Sequence, residues 1–583
     1  MMIPVKSIIL LLLIPAFLIA CGGNSQPISA ILSVEVNAPN PNMNAGASQT
    51  ISATVNGTGA FNPAITWTLK SGTGTLSNQT NSSVTFNAPV LSTASTSIVR
   101  ATSVQDSSKF DSVTLNIAAS PANSSIAGVS IAASKVNVRA AESTTLTATV
   151  TGTGAFNNAV NWAIKAGGVG SFSSSTGSSV TYLAPSSSSG KVVQITASSV
   201  QDPTKQYTIF LGLHPNQPTI AAGGSHALAI KTDGTLLSWG NNGYGQLGNN
   251  PAILFNEFAP VAVLNATDIV ALAAGHVHSL ALKADGTVLA WGNDAGGQLG
   301  NDAALEDKAA PVVVNGANQI IEIAAGYFFS LALKSDGTML AWGNNSKGQL
   351  GDSTILADKP TPVAVSGASD IVAIAAGSEH SLALKADGTM LAWGLDDAGQ
   401  LGNDAQLVDQ TLPVPVANAT GMVSIAAGYN HSLALTSSGN VLAWGSDFGG
   451  QLGDNIPKVN KSTPVQVNSP NQFVAISGGH FHSLALTSSG TMLAWGSDTY
   501  GELGDGNQLN AQGLPVTVGN VNNIVAIDAG GQFSLALKND GTLQSWGQDF
   551  SGQLGDGSAP NNCSGCSNTA VSVLLGAFTI QVP

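Results

Sequence analysis

Two hydrophobic rhythms run along the chain. Residues 49–55 read Gln-Thr-Ile-Ser-Ala-Thr-Val, polar and apolar in alternation. A period of two is the pattern of a half-buried strand. Beyond about residue 218 the runs are shorter and more uniformly apolar. Residues 278–283 read His-Ser-Leu-Ala-Leu-Lys and residues 288–291 read Val-Leu-Ala-Trp. In the second of these, Leu289 and Trp291 point one way and Val288 and Ala290 the other, so both faces seek burial. Gly, Asn, Asp and Ser clusters divide the runs, and the chain is expected to be all-β throughout.

The alternating region is a tandem repeat. Gly57-Thr58-Gly59-Ala60-Phe61-Asn62 recurs as Gly152-Thr153-Gly154-Ala155-Phe156-Asn157, each followed by a tryptophan, Trp67 or Trp162. Ser103-Val104-Gln105-Asp106 recurs as Ser199-Val200-Gln201-Asp202. Residues 30–119 and 125–213 are therefore read as two copies of a β-sandwich with seven strands each and the tryptophan in the core. The modules resemble bacterial immunoglobulin-like domains, which act as spacers in such settings, although the inter-sheet cysteine pair of antibodies is missing.

The second rhythm repeats seven times. Trp239, Trp291, Trp342, Trp393, Trp444, Trp495 and Trp546 recur after a first gap of 52 and then gaps of 51. Each is followed by Gly and, a few residues on, by Gly-Gln-Leu-Gly, or Gly-Glu-Leu-Gly at 501–504. A fixed period of this length marks stacked supersecondary units. Four strands are predicted in one unit, at 269–273, 278–283, 288–291 and 311–314, with Pro311 opening the last. Asp285-Gly286 supplies the hairpin turn between the second and third strands. Sheets with two apolar faces bury both by stacking, and a closed ring leaves no end unit exposed. The seven units thus predict a seven-bladed β-propeller over 218–583. Pro218 lies where other copies begin a strand, so residues 578–582 are expected to complete the first blade.

This Trp-Gly and Gly-Gln-Leu-Gly series resembles the regulator of chromosome condensation (RCC1-type) repeat family. The resemblance implies a propeller used for binding. The founding member exchanges guanine nucleotide on a small nuclear GTPase, a partner that an exported acidic protein would not meet. A secreted bacterial relative inhibits β-lactamases, which implies inhibition of an extracellular enzyme as an alternative role.

Composition changes the picture in three ways. Of 583 residues, 19 are basic and 33 acidic, for a net charge of −14, which argues against nucleic acid as a partner. The thirteen residues 7–19 form an apolar stretch too short to span a bilayer and follow Lys6, as in a signal peptide. The stretch ends Leu18-Ile19-Ala20-Cys21-Gly22, which resembles the lipobox of bacterial lipoproteins. That implies a signal peptide over 1–20, a diacylated Cys21, a polar linker over 21–29 and attachment to the bacterial envelope, at the outer membrane in enterobacterial-type sorting. Of the three cysteines, Cys563 and Cys566 form a CxxC element in a Ser/Asn-rich insertion, where an exported loop favours a local disulfide.

Candidate chemistry reads mostly as structure. His226, His278, His380, His431 and His482 share a repeat position that holds Phe329 and Phe533 in the other two copies. A site that accepts Phe is a packing site, with the imidazole expected to bond a neighbouring backbone group. His276-x-His278 and His480-x-His482 lack a third ligand for zinc. Three residues after each tryptophan stands Asn or Asp, namely Asn242, Asp294, Asn345, Asp396, Asp447, Asp498 and Asp549, which suits a loop-closing turn. No catalytic residue, metal or cofactor is assigned, and the chain is not expected to be an enzyme. A glycan-active enzyme is the remaining reading of another class.

Variation between copies is more informative. After the Gly that ends the first strand come His276, Tyr327-Phe328, Glu379, Tyr429 and His480-Phe481 at changing positions. The loop before Gly-Gln-Leu-Gly carries Tyr244, Lys347, Phe448, Tyr500 and Phe550. A regular scaffold that presents variable aromatic loops is suited to binding. The expected molecule is a membrane-tethered, monomeric scaffold that engages a protein or glycan at the cell envelope.

Overall fold

The computed structural model describes residues 29–580 apart from 92, 120–124, 140, 155, 166–167, 186–190, 215–219, 251–253, 303, 355–356, 404–406, 456–457, 508, 559–565 and 577–579. The signal peptide, Cys21, Cys563 and Pro218 lie outside the described residues. The chain forms two compact units. One holds Met1–Ala127 with Gly152–Ala159, the other Gly128–Thr151 with Val160–Pro583.

All described regular structure is β, in eleven four-stranded sheets. The first four make two sandwiches. In the first, Ala30–Asn37, Ser48–Thr58, Ser83–Asn87 and Thr75–Ser77 form one sheet. Asn42–Met43, Phe110–Ile117, Ser95–Ser103 and Ile65–Ser71 form the other. Ile51, Val84 and Phe86 from one sheet pack against Trp67, Val99 and Leu115 from the other. Among the described residues each sandwich has eight strands, not the seven expected. The extra strand is a short segment, Asn42–Met43 or Asn137–Arg139, that pairs in parallel with the last strand of the opposite sheet. So short a segment carries no alternation to read. Trp67 and Trp162 are buried as anticipated.

Seven further sheets follow in chain order between Ile220 and Ser572. The unit around Trp291 has strands Ile269–Ala274, His278–Lys283, Val288–Gly292 and Lys308–Val313. The fourth strand begins three residues before its expected start. It starts at Lys308, paired to Gly292 across a bulge, and Pro311 lies inside it. Proline is tolerated there because this strand is the outer edge of its sheet, where an N–H would face solvent. The hairpin Ala284-Asp285-Gly286 places only Gly286 at positive φ, +87°. Asp285 accepts the Thr287 N–H at 2.9 Å and fixes the turn.

The two faces of each sheet are buried against different neighbours. Leu289 and Trp291 pack on Leu228 and Ile230 of the preceding sheet. Val288 and Ala290 pack with Ile323 and Trp342 of the following one. The sheets close on themselves. Trp239 of the first sheet donates to the Gln553 carbonyl beyond the third strand of the seventh at 3.0 Å, and Gly531 N–H donates to Gly223 O at 3.0 Å. The innermost strand of the first sheet is Ile220–Ala222, paired with Ala227–Ala229. This corrects the expectation that residues 578–582 would complete the first blade, because Ile220–Ala222 itself pairs with the second strand. Of 578–582, only Ile580 is described. It is buried among Ile220, Leu537 and Leu543 at the closing seam.

The second sandwich is docked on the ring. Phe210 and Val136 join the core formed by Ile321, Phe329 and Leu333. Phe210 N–H donates to Ser335 O at 2.6 Å, and the buried Asn137 amide donates to Ile320 O at 2.8 Å. Lys165 reaches Ala386 O at 3.3 Å. Ser335 and Ala386 lie in hairpin turns between second and third strands, and Ile320 opens the first strand of its sheet. Truncating a buried phenylalanine costs about 3–5 kcal/mol. Phe210→Ala should therefore release the sandwich, raising the rate of limited proteolysis of the chain at least tenfold above wild type. An unchanged digestion rate would show that the contact does not hold the two parts together.

Candidate functional site

The loops between first and second strands, and between third and fourth, emerge at the opposite end of the strands from the hairpin turns. The first-to-second-strand loops form the rim of a central cavity of about 310 Å³, lined below by small and aliphatic residues such as Ala273, Ala324, Ala375 and Ile425. The rim is held in place by a repeated network. The Gln246 carbonyl accepts both Ser279 Oγ and Trp291 Nε1 of the next sheet, each at 2.8 Å. Ser279 Oγ lies 2.9 Å from His226 Nε2. The serine's single proton goes to the carbonyl, so the imidazole Nε2–H is the donor and Nδ1 is bare.

The same triad recurs through His278 with Ser330, His380 with Ser432, His431 with Ser483 and His482 with Ser534. The histidines are thus structural, as expected, but bond a side chain of the next sheet and not backbone. The Nδ1 atoms of His226, His278, His380 and His431 are buried with no partner among the described residues. An imidazolium would bury an unsatisfied N–H, and desolvation lowers the pKa of each ring to about 3. The glycine ending each first strand is forced by the same ring. A Cβ on Gly377 would sit 2.2 Å from His380 Cε1, and one on Gly326 would sit 2.1 Å from Phe329 Cε1.

The seven Asn and Asp side chains close loops. Each accepts the N–H of the leucine in its own Gly-Gln-Leu-Gly segment, as Asp396 does from Leu401 at 3.0 Å and Asn345 from Leu350 at 3.1 Å. Burial raises Asp294, Asp396, Asp498 and Asp549 to about 6. Among the described residues no group of three His, Cys, Asp or Glu is placed to hold a metal. Cys566 is half-buried just before the last strand, and its CxxC partner Cys563 lies outside the described residues.

At the mouth of the cavity the variable loops meet. His276 and Tyr327 stack with ring centroids 3.8 Å apart. His480 lies 5.6 Å from His276 and 5.2 Å from Tyr429, and Tyr429 meets Tyr327 edge-on at 5.8 Å. Burial lowers both mouth histidines to about 4. His276 and His278 therefore do not share a site, because one caps the cavity and the other lies between sheets. Phe328 and Phe481 flank the cluster, each 37% exposed. Phe448 is 78% exposed with Lys458 Nζ 5.9 Å from its ring, and Phe550 meets Tyr500 edge-on at 5.6 Å. Tyr244 stands apart from these groups among the described residues, and Lys347 pairs with Asp409 at 3.5 Å. Glu379 lies in the same sector, half-buried.

Two interior carboxyls were not anticipated. Asp528 accepts the Ala222 N–H and the Ser477 hydroxyl, both at 2.8 Å, and ties the seventh sheet to the first. Burial pushes it to about 6. Glu322 accepts the Ile374 N–H at 3.4 Å, and burial pushes it to about 8. The other copies carry mostly Ala at these positions, which was the available signal.

The sequence profile of the RCC1-like domain matches residues 187–470 and 256–580. The ultraviolet-B receptor UVR8 of Arabidopsis thaliana is 31% identical over 351 residues, 58% of this chain and 78% of that protein. The regulator of chromosome condensation of Xenopus laevis is 27% identical over 56% of this chain and 81% of its own. The human E3 ubiquitin-protein ligase HERC2 is 30% identical over 60% of this chain but only 7% of its own length. Among solved structures, Kap60 bound to yeast RCC1 (Prp20) matches with TM-score 0.51 and 25% identity, over 60% of this chain and 89% of that one. Human WBSCR16 matches in fold with TM-score 0.53 and 22% identity, over 58% and 94%.

The buried imidazoles give a pH signature. Each folded pKa lies below the unfolded value of 6.5, so the unfolded chain takes up a proton that the native state refuses. Stability from each ring is full above pH 6.5 and falls by about 1.4 kcal/mol per unit below it. His380→Phe copies the residue found at 329 and 533 and removes this term. Between pH 7.5 and 5 the variant should gain about 2 kcal/mol on wild type in denaturant melts. Parallel pH curves would contradict the assignment.

Proposed function

Because the chain belongs to the RCC1-like domain family, we propose that it is a protein-binding β-propeller of seven blades, held at a bacterial cell envelope. In this reading the partner is engaged through the aromatic mouth. The observation that carries it is the docking of the second sandwich. That sandwich contacts sheets three and four, at the start of a first strand through Asn137 and at hairpin turns through Phe210 and Lys165. The chain itself occupies part of one end of the ring, and the exposed aromatics stand at the other. Exposed aromatic clusters are the usual anchors of protein interfaces.

The anchoring part of the proposal rests on the lipobox-like Leu18-Ile19-Ala20-Cys21 and its apolar leader. In it, Cys21 is lipidated, and the two sandwiches are immunoglobulin-like modules that carry the propeller outside the cytoplasm, the second of them also bracing the ring. No nucleotide, metal or cofactor is invoked, and the acidic balance of 33 to 19 disfavours nucleic acid.

The test compares the immobilised full chain with two variants in an envelope extract. Combined Phe328→Ala, Phe448→Ala and Phe481→Ala replacement should reduce the retained partner at least tenfold. Asp540→Ala, on a hairpin turn of the seventh sheet, should retain it fully. Equal retention by the aromatic variant would refute use of the mouth.

A further inference from the structure

The mouth is chemically divided, and its third-to-fifth sheet sector points to a particular partner chemistry. Tyr327 and Tyr429 approach each other edge-on at 5.8 Å above the cavity. No hydrogen bond to either phenol oxygen exists among the described residues. Ser378 lies between them in sequence order of the sheets, its Oγ bonded to Tyr429 O at 2.6 Å and to Asn430 Oδ1 at 2.9 Å, which fixes the loop. The next residue is Glu379, whose carboxyl likewise accepts no hydrogen bond among the described residues. Its charge reaches both phenols and meets those of Asp397 and Asp409. Against these three carboxyls stands Lys347, and that ammonium is already held by Asp409. Asp397 is engaged by Gln400 Nε2 at 3.0 Å, so Glu379 is the carboxyl left over.

An unpaired carboxylate whose charge reaches two electron-rich rings is matched by a cation. It supplies the counter-charge while the ring faces supply cation–π attraction. A flexible cationic side chain also meets the free phenol oxygens, which accept hydrogen bonds. Neutral sugar hydroxyls would satisfy the phenols but not the charge. Resting on the reading that the mouth is the binding face, we propose that the notch between Tyr327, Tyr429 and Glu379 receives a lysine or arginine side chain of a polypeptide partner. The exposed Phe481 and Phe448 beyond it take apolar residues of the same partner. The overall charge of −14 draws a basic partner to the same surface.

The experiment selects a random dodecapeptide display library on the full-length chain. Selected peptides should share a Lys or Arg whose replacement by Ala weakens binding about tenfold or more. Glu379→Gln, close to isosteric, should cost these peptides a similar factor, and Glu379→Lys should abolish binding. Affinity should also fall with added salt. If selected peptides depend on Tyr429 but carry no common basic residue, or are indifferent to Glu379→Gln, this proposal is wrong while the mouth remains the binding face. Tyr429-dependent retention of neutral oligosaccharides in place of peptides would likewise overturn it. If no selected peptide responds to Tyr327→Ala or Tyr429→Ala, the binding-face reading falls as well.

Discussion

In six of the seven Gly-Gln-Leu-Gly or Gly-Glu-Leu-Gly segments the backbone carbonyl of the Gln or Glu accepts two hydrogen bonds from the following sheet, one from an indole and one from a serine hydroxyl. Gln349 O, for example, takes Ser381 Oγ and Trp393 Nε1, both at 2.8 Å. The indole is wholly buried, so its N–H must find an acceptor, and the carbonyl at the neighbouring loop is the one within reach. That requirement sets the spacing between sheets, and the spacing sets where the rim loops stand. The second glycine of the segment follows from it, since a Cβ on Gly351 would sit 2.8 Å from Trp393 Nε1.

The closing seam departs from this pattern in a way that makes physical sense. The first sheet has Ala227 where others carry the serine, and the seventh has Phe533 where most carry histidine. Polar and apolar partners change together, so no lone hydroxyl or imidazole is buried there. The indole bond survives, from Trp239 to Gln553 O, and Asp528 adds a further tie to Ala222. The ends of the chain segment forming the ring are thus joined by the indole bond and the Asp528 carboxyl, without the histidine–serine pair.

Much of this was legible in the sequence for local reasons. The tryptophan period, the Asp-Gly turns and the division of Val288, Leu289, Ala290 and Trp291 between two faces follow from side-chain periodicity alone. What was not legible depends on distance in sequence. His276 and His480 come together because the ring's curvature brings non-adjacent sheets to one axis. The sandwich contact hangs on Asn137 and Phe210, residue types that carry no pattern of their own. Pro311 was read as a strand start by a rule for paired strands, whereas an outer edge admits it in the interior. The mouth residues were recognised as variable, but which of them would touch required the geometry.

The central claim is that the ring is closed by the same indole-to-carbonyl bond that joins its internal sheets. Exchange of indole N–H protons, followed by NMR on indole-¹⁵N-labelled chain, tests it directly. The account predicts that Trp239, whose acceptor lies 314 residues away, exchanges as slowly as Trp291 or Trp393. Fast exchange at Trp239 with protection at the other six would mean an open stack of sheets and would contradict it.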